Sequence, residues 1–200
     1  MGIDGGRLCW QRREGGRASF PLERLRLRGR HQQCNLAVAA QGAADFGVGE
    51  AVIREGLSSF RGLPHRLQWI GRRRGRDWYD DSKATNPAAA AAALRALGRA
   101  VWICGGVTKG CDLKPLLPAV RDGVERMVVI GRDPEPFVAL ARAAAVAWEV
   151  ADGMEDAVAR AAAVQPPLPV VLAPAAASFD LYADYAARGE AFVRAVEQLG

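Results

Sequence analysis

Several features of membrane, secreted and metal-binding proteins are missing from this sequence of 200 residues. It contains no apolar run of about 18 residues, which excludes a transmembrane helix and membrane insertion. Its start, MGIDGG, lacks the charged and then apolar layout of a secretory signal. The four cysteines form no CxxC pair and have no metal-ligand spacing with the two histidines. We therefore expect reduced thiols, a cytoplasmic location and no metal site.

A phosphate-binding loop of the form G-x-x-x-x-G-K-[ST] is also missing. The glycine-rich segment 105–110 (GGVTKG) has Lys109 after Thr108 and before Gly110, which is the wrong order for such a loop. Lysine itself is scarce, with three residues against twenty-four arginines. Lys83 and Lys109 therefore mark positions where a compact ammonium is preferred to a guanidinium group.

The positive charge is concentrated in the first part of the chain, although the overall composition is that of a globular protein. Residues 1–76 contain 15 arginines and 6 acidic residues, a net charge of +9, whereas residues 77–200 have a net charge of −4. A basic segment favours an anionic partner, and nucleic acid is one candidate. The densest run, residues 72–76, lies between two strand-like stretches. A solvated hairpin turn is the favoured interpretation, because nucleic-acid binding needs a continuous basic face.

The order of the predicted elements indicates an α/β fold. Residues 1–30 are β-rich, with short strands predicted at 8–10 and 25–27, and two helices follow at about 35–44 and 48–57. After the break at 62–64 (GLP), strands and helices alternate at short spacing. This alternation predicts a Rossmann-like, mostly parallel sheet with helices on both faces. We therefore divide the chain into two domains, residues 1–62 and residues 63–200.

Polar residues follow three of the strands predicted in the second domain. They form the segments 80–86 (DDSKATN), 105–109 (GGVTK) and 173–180 (APAAASFD). Because the carboxyl ends of parallel strands meet at one edge of a sheet, we expect these loops to form one anion-binding cleft. Each loop also has a purely structural interpretation: Asn86 as the cap of a helix begun by Pro87, an exposed Lys109 after a glycine turn, and Ser178 as a helix cap.

Two further residues have alternative interpretations. Asn35 either caps the first helix or contacts a ligand. Arg66 either contacts a nucleotide phosphate or pairs with an acidic residue. The residues alone leave both choices open.

Taken together and in this order, these segments resemble the C-terminal part of the Mur ligase family, and within it the branch that adds D-glutamate. The matching strings are GRH with Asn35 at 29–35, F-x-GLPHR at 60–66, DSKATN at 81–86, GG with Lys109 at 105–109, GRD at 131–133, and APAAASFD with Tyr185 and RG-x-x-F at 173–192. The resemblance covers essentially the whole chain. DSKATN with GLPHR upstream is specific, since family members that add other amino acids differ at that loop.

The resemblance implies an ATP-dependent ligase of peptidoglycan precursor synthesis. Such a ligase joins D-glutamate to UDP-N-acetylmuramoyl-L-alanine through an acyl phosphate, with Mg²⁺ accompanying ATP. The implied ATP contacts are Asn35, Arg66 and Asp81. Lys83 and Thr85 are implied at the junction of nucleotide and D-glutamate, with Lys83 as the catalytic residue. The implied D-glutamate contacts are Lys109, Ser178 and Tyr185. The family usually has Phe where this chain has Tyr185 and Asn where it has Gln32.

Two parts of the family pattern have no counterpart in this sequence. They are the domain that binds the UDP end of the substrate and the P-loop of the central ATPase domain, of which residues 1–62 match only the β/α tail. The Mg²⁺ ligands are expected mainly in those parts. We therefore expect the chain to be the C-terminal portion of a ligase, inactive alone, with a missing N-terminal half as its partner.

Three alternatives stay open from the sequence. The first is a non-catalytic α/β module that binds an amino acid or a nucleotide. The second is a basic nucleic-acid-binding domain, and the third is a sister ligase of the folylpolyglutamate type. No recognition motif supports nucleic-acid binding, so we do not expect that partner. DSKATN argues against the sister ligase.

Overall fold

A computed structural model describes residues 1–27 and 29–200 of the protein. These residues form two compact units, Met1–Gly62 and Leu63–Gly200. Each unit has a hydrophobic core of its own. Within the described ranges, no helix has the length and apolar character needed to cross a membrane.

The first unit is a three-stranded antiparallel sheet packed against two helices. Its elements are β1 (Gly2–Asp4), β2 (Arg7–Gln11), β3 (Arg17–Pro21), α1 (Arg30–Asp45) and α2 (Glu50–Ser59). Trp10, Phe20 and Leu36 lie in its core. The prediction of a strand at 25–27 is wrong. Residues 25–27 form no strand, and β2 pairs instead with β3, the next extended segment along the chain. A three-residue alternation was too short to distinguish a strand from an irregular connection.

The second unit contains a six-stranded sheet in the order β4-β5-β9-β6-β7-β8, in which only β4 is antiparallel to its neighbour. The strands are β4 (Gln68–Arg73), β5 (Arg76–Asp80), β6 (Ala100–Gly105), β7 (Val124–Ile130), β8 (Ala147–Val150) and β9 (Val170–Leu172). The helices are α3 (Pro87–Leu97), α4 (Leu117–Gly123), α5 (Glu135–Ala144), α6 (Met154–Ala163) and α7 (Tyr185–Glu197). The predicted α/β class with a mostly parallel sheet is confirmed.

Helices cover both faces of this sheet. Along β6, Trp102 and Cys104 face the core shared with α3, α4 and α5, whereas Val101 and Ile103 face the core shared with α6 and α7. All six residues of β6 are buried, which is typical of a central strand in a parallel sheet. Asn86 caps α3 by accepting a hydrogen bond from the Ala89 amide, and Pro87 is its first residue, as predicted.

The arginine-rich turn joins β4 to β5 as a hairpin, but part of the solvated-turn prediction is wrong. Arg76 is only 2% exposed. Its guanidinium donates to the carbonyls of Ala161 and Val164 at the end of α6, at 2.8 and 2.7 Å. Arg74 donates to the Leu199 carbonyl beyond the end of α7. Cations stabilise helix C-termini, so these two arginines serve the fold and not a continuous face for nucleic acid.

Candidate functional site

Three loops meet where β5, β9 and β6 end, and we call residues 81–86, 105–110 and 173–180 the site edge. The Asp81 amide donates to the Leu172 carbonyl at 2.8 Å, and the Ala175 amide donates to the Ala84 carbonyl at 2.8 Å. Val107 and Ala177 exchange two backbone hydrogen bonds of 2.9 Å. The structure therefore brings the three polar segments of the sequence together.

A fourth loop, after β7, joins the site edge through Asp180. The carboxylate of Asp180 accepts a hydrogen bond from the Arg132 amide at 3.1 Å. Gly131 has a φ of +116°, and a Cβ there would lie 2.8 Å from Asp180 Oδ2 and 2.9 Å from the Gly106 amide nitrogen. A side chain at this position would separate the loops, which explains the glycine.

A buried arginine on α7 holds two of the loops. Arg188 is 1% exposed, and its Nε and Nη2 donate to the hydroxyl and carbonyl oxygens of Ser82 at 3.0 and 2.9 Å. Its Nη1 donates to the Ala176 carbonyl at 3.1 Å. Burial lowers the pKa of Arg188 to about 10, so the guanidinium stays protonated at neutral pH. A permanent positive charge therefore lies directly behind the site edge.

An imidazole–carboxylate pair supports the same region. His65 Nδ1 lies 2.7 Å from Asp80 Oδ2, and the side chain of Asp80 is fully buried. The other carboxylate oxygen of Asp80 accepts a hydrogen bond from the Ser82 amide at 2.9 Å. Burial raises the pKa of Asp80, and the hydrogen bond from His65 opposes this increase. A Cβ at Gly189 would lie 2.2 Å from His65 Nδ1, so α7 approaches this pair closely.

The carboxylate of Asp81 also lies in a buried environment. It accepts a hydrogen bond from the Leu67 amide at 3.0 Å. The pKa of Asp81 is raised to about 7, mainly by burial and further by the charge of Asp80. The Leu67 amide and the charge of Arg66 act in the opposite direction. Asp81 therefore titrates in the neutral range, which is unusual for an aspartate.

This environment predicts a pH-dependent effect of Asp81→Asn on stability. An unfolded aspartate has a pKa of about 3.9, so the folded protein binds a proton at Asp81 that the unfolded chain has lost between about pH 4 and pH 7. The contribution of Asp81 to the free energy of unfolding is present below pH 4 and falls by up to about 4 kcal/mol as pH rises through 7. Asparagine does not titrate and keeps the acceptor for Leu67, so Asp81→Asn gains stability relative to wild type over this interval.

Urea unfolding at pH 4, 5.5, 7 and 8 measures this difference, with Asp122→Asn on the exposed surface as the matched control. A constant difference between Asp81→Asn and wild type across these pH values would contradict the buried environment.

The hydrogen-bond donors implied by the resemblance lie along the site edge. The Lys83 ammonium is 3.6 Å from the centroid of the Tyr185 ring, and the Lys109 ammonium is 5.0 Å from that of Phe179. Ser178 is 2% exposed. Ser178 does not cap α7, because Asp184 does so by accepting from the Ala187 amide. Thr85 is exposed beside Lys83.

The remaining implied contacts lie elsewhere. Arg66 is exposed in the second unit, close enough to Asp81 to lower its pKa. Asn35 is exposed in the first unit. Since α1 begins at Arg30, Asn35 lies inside the helix and the cap interpretation is wrong. Among residues 1–27 and 29–200, no three His, Cys, Asp or Glu side chains cluster as metal ligands.

Sequence reasoning gave Arg188 no role, although the string RG-x-x-F begins with it and its position carries a signal. Arg188 follows Tyr185 by three residues and precedes Phe192 by four, which is the spacing of one helix face. Phe192 is fully buried. An arginine at the spacing of a buried face indicates an internal hydrogen-bond donor, but in a chain that uses arginine as its usual cation it did not stand out.

Comparison with known proteins gives one family match. Residues 65–176 match the family described as Mur ligase, glutamate ligase domain. The UDP-N-acetylmuramoylalanine–D-glutamate ligase of Sphingopyxis alaskensis is 44% identical over 189 residues, covering 90% of this chain and 43% of that protein. The ligase of the same name from Thiobacillus denitrificans is 43% identical over 190 residues, covering 92% of this chain and 40% of that protein. The chain thus spans about two fifths of the length of these relatives.

Solved structures share the fold at low sequence identity. The UDP-N-acetylmuramate-alanine ligase of Thermotoga maritima superimposes with a TM-score of 0.62 at 13% identity, covering 92% of this chain and 40% of that chain. The folylpolyglutamate synthetase of Lactobacillus casei superimposes with a TM-score of 0.56 at 22% identity, covering 99% of this chain and 44% of that chain. At these identities the likeness concerns the fold alone.

Proposed function

The chain belongs to the Mur ligase family, and on this premise we propose that its second unit binds D-glutamate for an ATP-dependent ligase of peptidoglycan precursor synthesis. The observation that carries the proposal is the site edge. It carries the ammonium groups of Lys83 and Lys109 and the buried Ser178, beside the buried guanidinium of Arg188. The relatives with 43–44% identity bear the name of a D-glutamate ligase, which supports the same substrate.

The chemistry of D-glutamate fits these donors. Its two carboxylates require charge-assisted hydrogen bonds, and Lys83 and Lys109 provide two separate cations for them. Ser178 supplies a neutral donor, and the Tyr185 ring lies against the Lys83 ammonium. The buried positive charge of Arg188 behind the site edge adds to the attraction for a diacid. The amine of D-glutamate stays free to act as the nucleophile.

On the nucleotide side of the second unit we propose Arg66 and Asp81 as contacts, with Thr85 beside Lys83 at the junction with D-glutamate. Separately, we propose Asn35 of the first unit as a nucleotide contact. ATP supplies the phosphoryl group that activates the acceptor carboxylate of UDP-N-acetylmuramoyl-L-alanine. Lys83 lies between the two substrates in this scheme, where its charge offsets negative charge that develops during transfer. We assign the first unit to the end of the central ATP-binding domain. Mg²⁺ receives no ligand set from the described residues of this chain.

D-Glutamate binding tests this function. Isothermal titration of the 200-residue chain is expected to show binding, and Lys83→Met or Lys109→Met is expected to weaken it at least about tenfold, since each removes one charge-assisted hydrogen bond. Lys114→Met is the matched control, because Lys114 is exposed on a short 3₁₀ turn outside the site edge. Equal loss of affinity in all three variants, or no binding by wild type, would refute the assignment.

A non-catalytic binding module is the competing function, and phosphate release distinguishes it. The 200 residues contain no P-loop sequence, so the chain alone is expected to release no phosphate from ATP. Adding the unmatched part of the Sphingopyxis alaskensis ligase, with both substrates, is expected to restore release that depends on D-glutamate. Binding of D-glutamate without restored release would favour the non-catalytic module.

A further inference from the structure

Two of the three lysines of this chain lie over aromatic rings, and both rings come from one short segment. Lys83 faces Tyr185 with its ammonium 3.6 Å from the ring centroid, and Lys109 faces Phe179 at 5.0 Å. Phe179 lies in the connection from β9 to α7, and Tyr185 is the first residue of α7. The third lysine, Lys114, has no such ring contact among the described residues.

These contacts hold each ammonium without neutralising it. The negative face of an aromatic ring attracts a cation, but it leaves the N–H groups that point away from the ring available. Neither lysine has a salt bridge to any carboxylate in the part of the chain that the structure describes. A carboxylate partner would neutralise the ammonium group. An aromatic partner does not, so it suits a lysine that binds an anionic ligand.

The Tyr185 ring is itself held in place. It meets the His65 ring edge to face, with centroids 6.1 Å apart and an interplanar angle of 78°. The backbone carbonyl of Tyr185 accepts a 2.7 Å hydrogen bond from the hydroxyl of Ser82. Phe179 is 64% exposed, so its contact with Lys109 is the looser of the two.

We propose that Tyr185 and Phe179 are positioning residues that hold the ammonium groups of Lys83 and Lys109 at the site edge, ready for the two carboxylates of a diacid. This inference rests on the proposed function. Each carboxylate approaches its lysine from the side opposite the ring, so the ring contact persists in the complex. The lysine side chains then lose less conformational freedom when the ligand binds.

Lysine NMR signals test the contacts directly and without ligand. In protein labelled with ¹³C-lysine, only three sets of ε-CH₂ signals are present. The signals of Lys83 and Lys109 are expected upfield of those of Lys114 because of the ring currents. Tyr185→Phe retains the ring and the shift of Lys83, whereas Tyr185→Leu moves that signal to the position of Lys114. Phe179→Leu does the same for Lys109. Unshifted lysine signals in the wild type would overturn the proposal.

Titration with D-glutamate in the same samples tests the consequence. Tyr185→Leu is expected to weaken binding about fivefold and Phe179→Leu about twofold, in line with the strength of partly exposed cation–π contacts, while Tyr185→Phe restores the affinity. Tyr185→Leu with wild-type affinity would overturn the proposal. A wild-type protein with shifted lysine signals but no response to D-glutamate would instead refute the proposed function, so the two failures are distinguishable.

Discussion

Replacing Arg188 with methionine is expected to lower the free energy of unfolding of the second unit by about 3 kcal/mol. Methionine fills much of the same volume but leaves the Ser82 and Ala176 carbonyls buried without donors. The hydroxyl of Ser82 also loses its donor from Arg188, which loosens the residue that precedes Lys83. The same substitution is therefore expected to abolish D-glutamate binding under conditions where the protein remains folded.

Arg194→Met is the matched control for this prediction. Arg194 lies on the same helix, its side chain is 65% exposed, and its nitrogen is 3.8 Å from a carboxylate oxygen of Glu190. Its replacement is expected to change the free energy of unfolding by less than about 0.5 kcal/mol. Urea unfolding and hydrogen exchange of the β6 amides measure both variants. An effect of Arg188→Met as small as that of Arg194→Met would show that Arg188 does not hold the loops.

Gly105→Ala is expected to have the second large effect, a loss of at least about 4 kcal/mol in the free energy of unfolding. Gly105 ends β6 with a φ of +123°, and a Cβ there would lie 1.9 Å from the carbonyl oxygen of Ile130 in β7. The obstacle is backbone in the adjacent central strand, so a rotamer change does not relieve it. Relief requires β6 and β7 to separate, which moves the loop that carries Lys109.

Gly110→Ala separates this overlap from the cost of the backbone conformation. Gly110 also has a positive φ, +76°, but a Cβ there would meet no atom of the described residues within 4 Å. Its replacement is expected to cost about 1 kcal/mol, the usual penalty for a left-handed residue. Thermal unfolding of both variants provides the comparison. If the two alanine variants unfold at similar temperatures, close strand packing does not explain Gly105.

The strength of local signals decided how much of the fold was predictable. Asn86 and Pro87 mark the start of α3 through the chemistry of a cap, which depends only on adjacent residues. A continuous apolar run predicted the buried strand at residues 101–104, which lies within β6. The strand expected at 25–27 failed, because three alternating residues do not specify a pairing partner. Arg76 was expected in solvent, since nothing local indicated the carbonyls of α6.

The candidate site divides in the same way. The loops DSKATN, GGVTK and APAAASFD and their order after strands were visible in the sequence, and the rule for parallel sheets placed them at one edge. The pairing of His65 with Asp80 and the neutral-range pKa of Asp81 were not visible, because both depend on burial by elements distant in the chain. Burial of a carboxyl group is a property of the packed fold and not of its neighbours in sequence.

By itself, the sequence determined the strands and helices of the second unit, their alternation and the polar loops that follow the strands, because these depend on periodicity and on chemistry between adjacent residues. The tertiary structure alone decided which side chain holds those loops and where the lysines rest. Arg188 bonds Ser82 across 106 residues of chain, and Lys109 meets Phe179 only because β6 and β9 pair side by side. Contacts at such separations arise from packing, which no local pattern encodes.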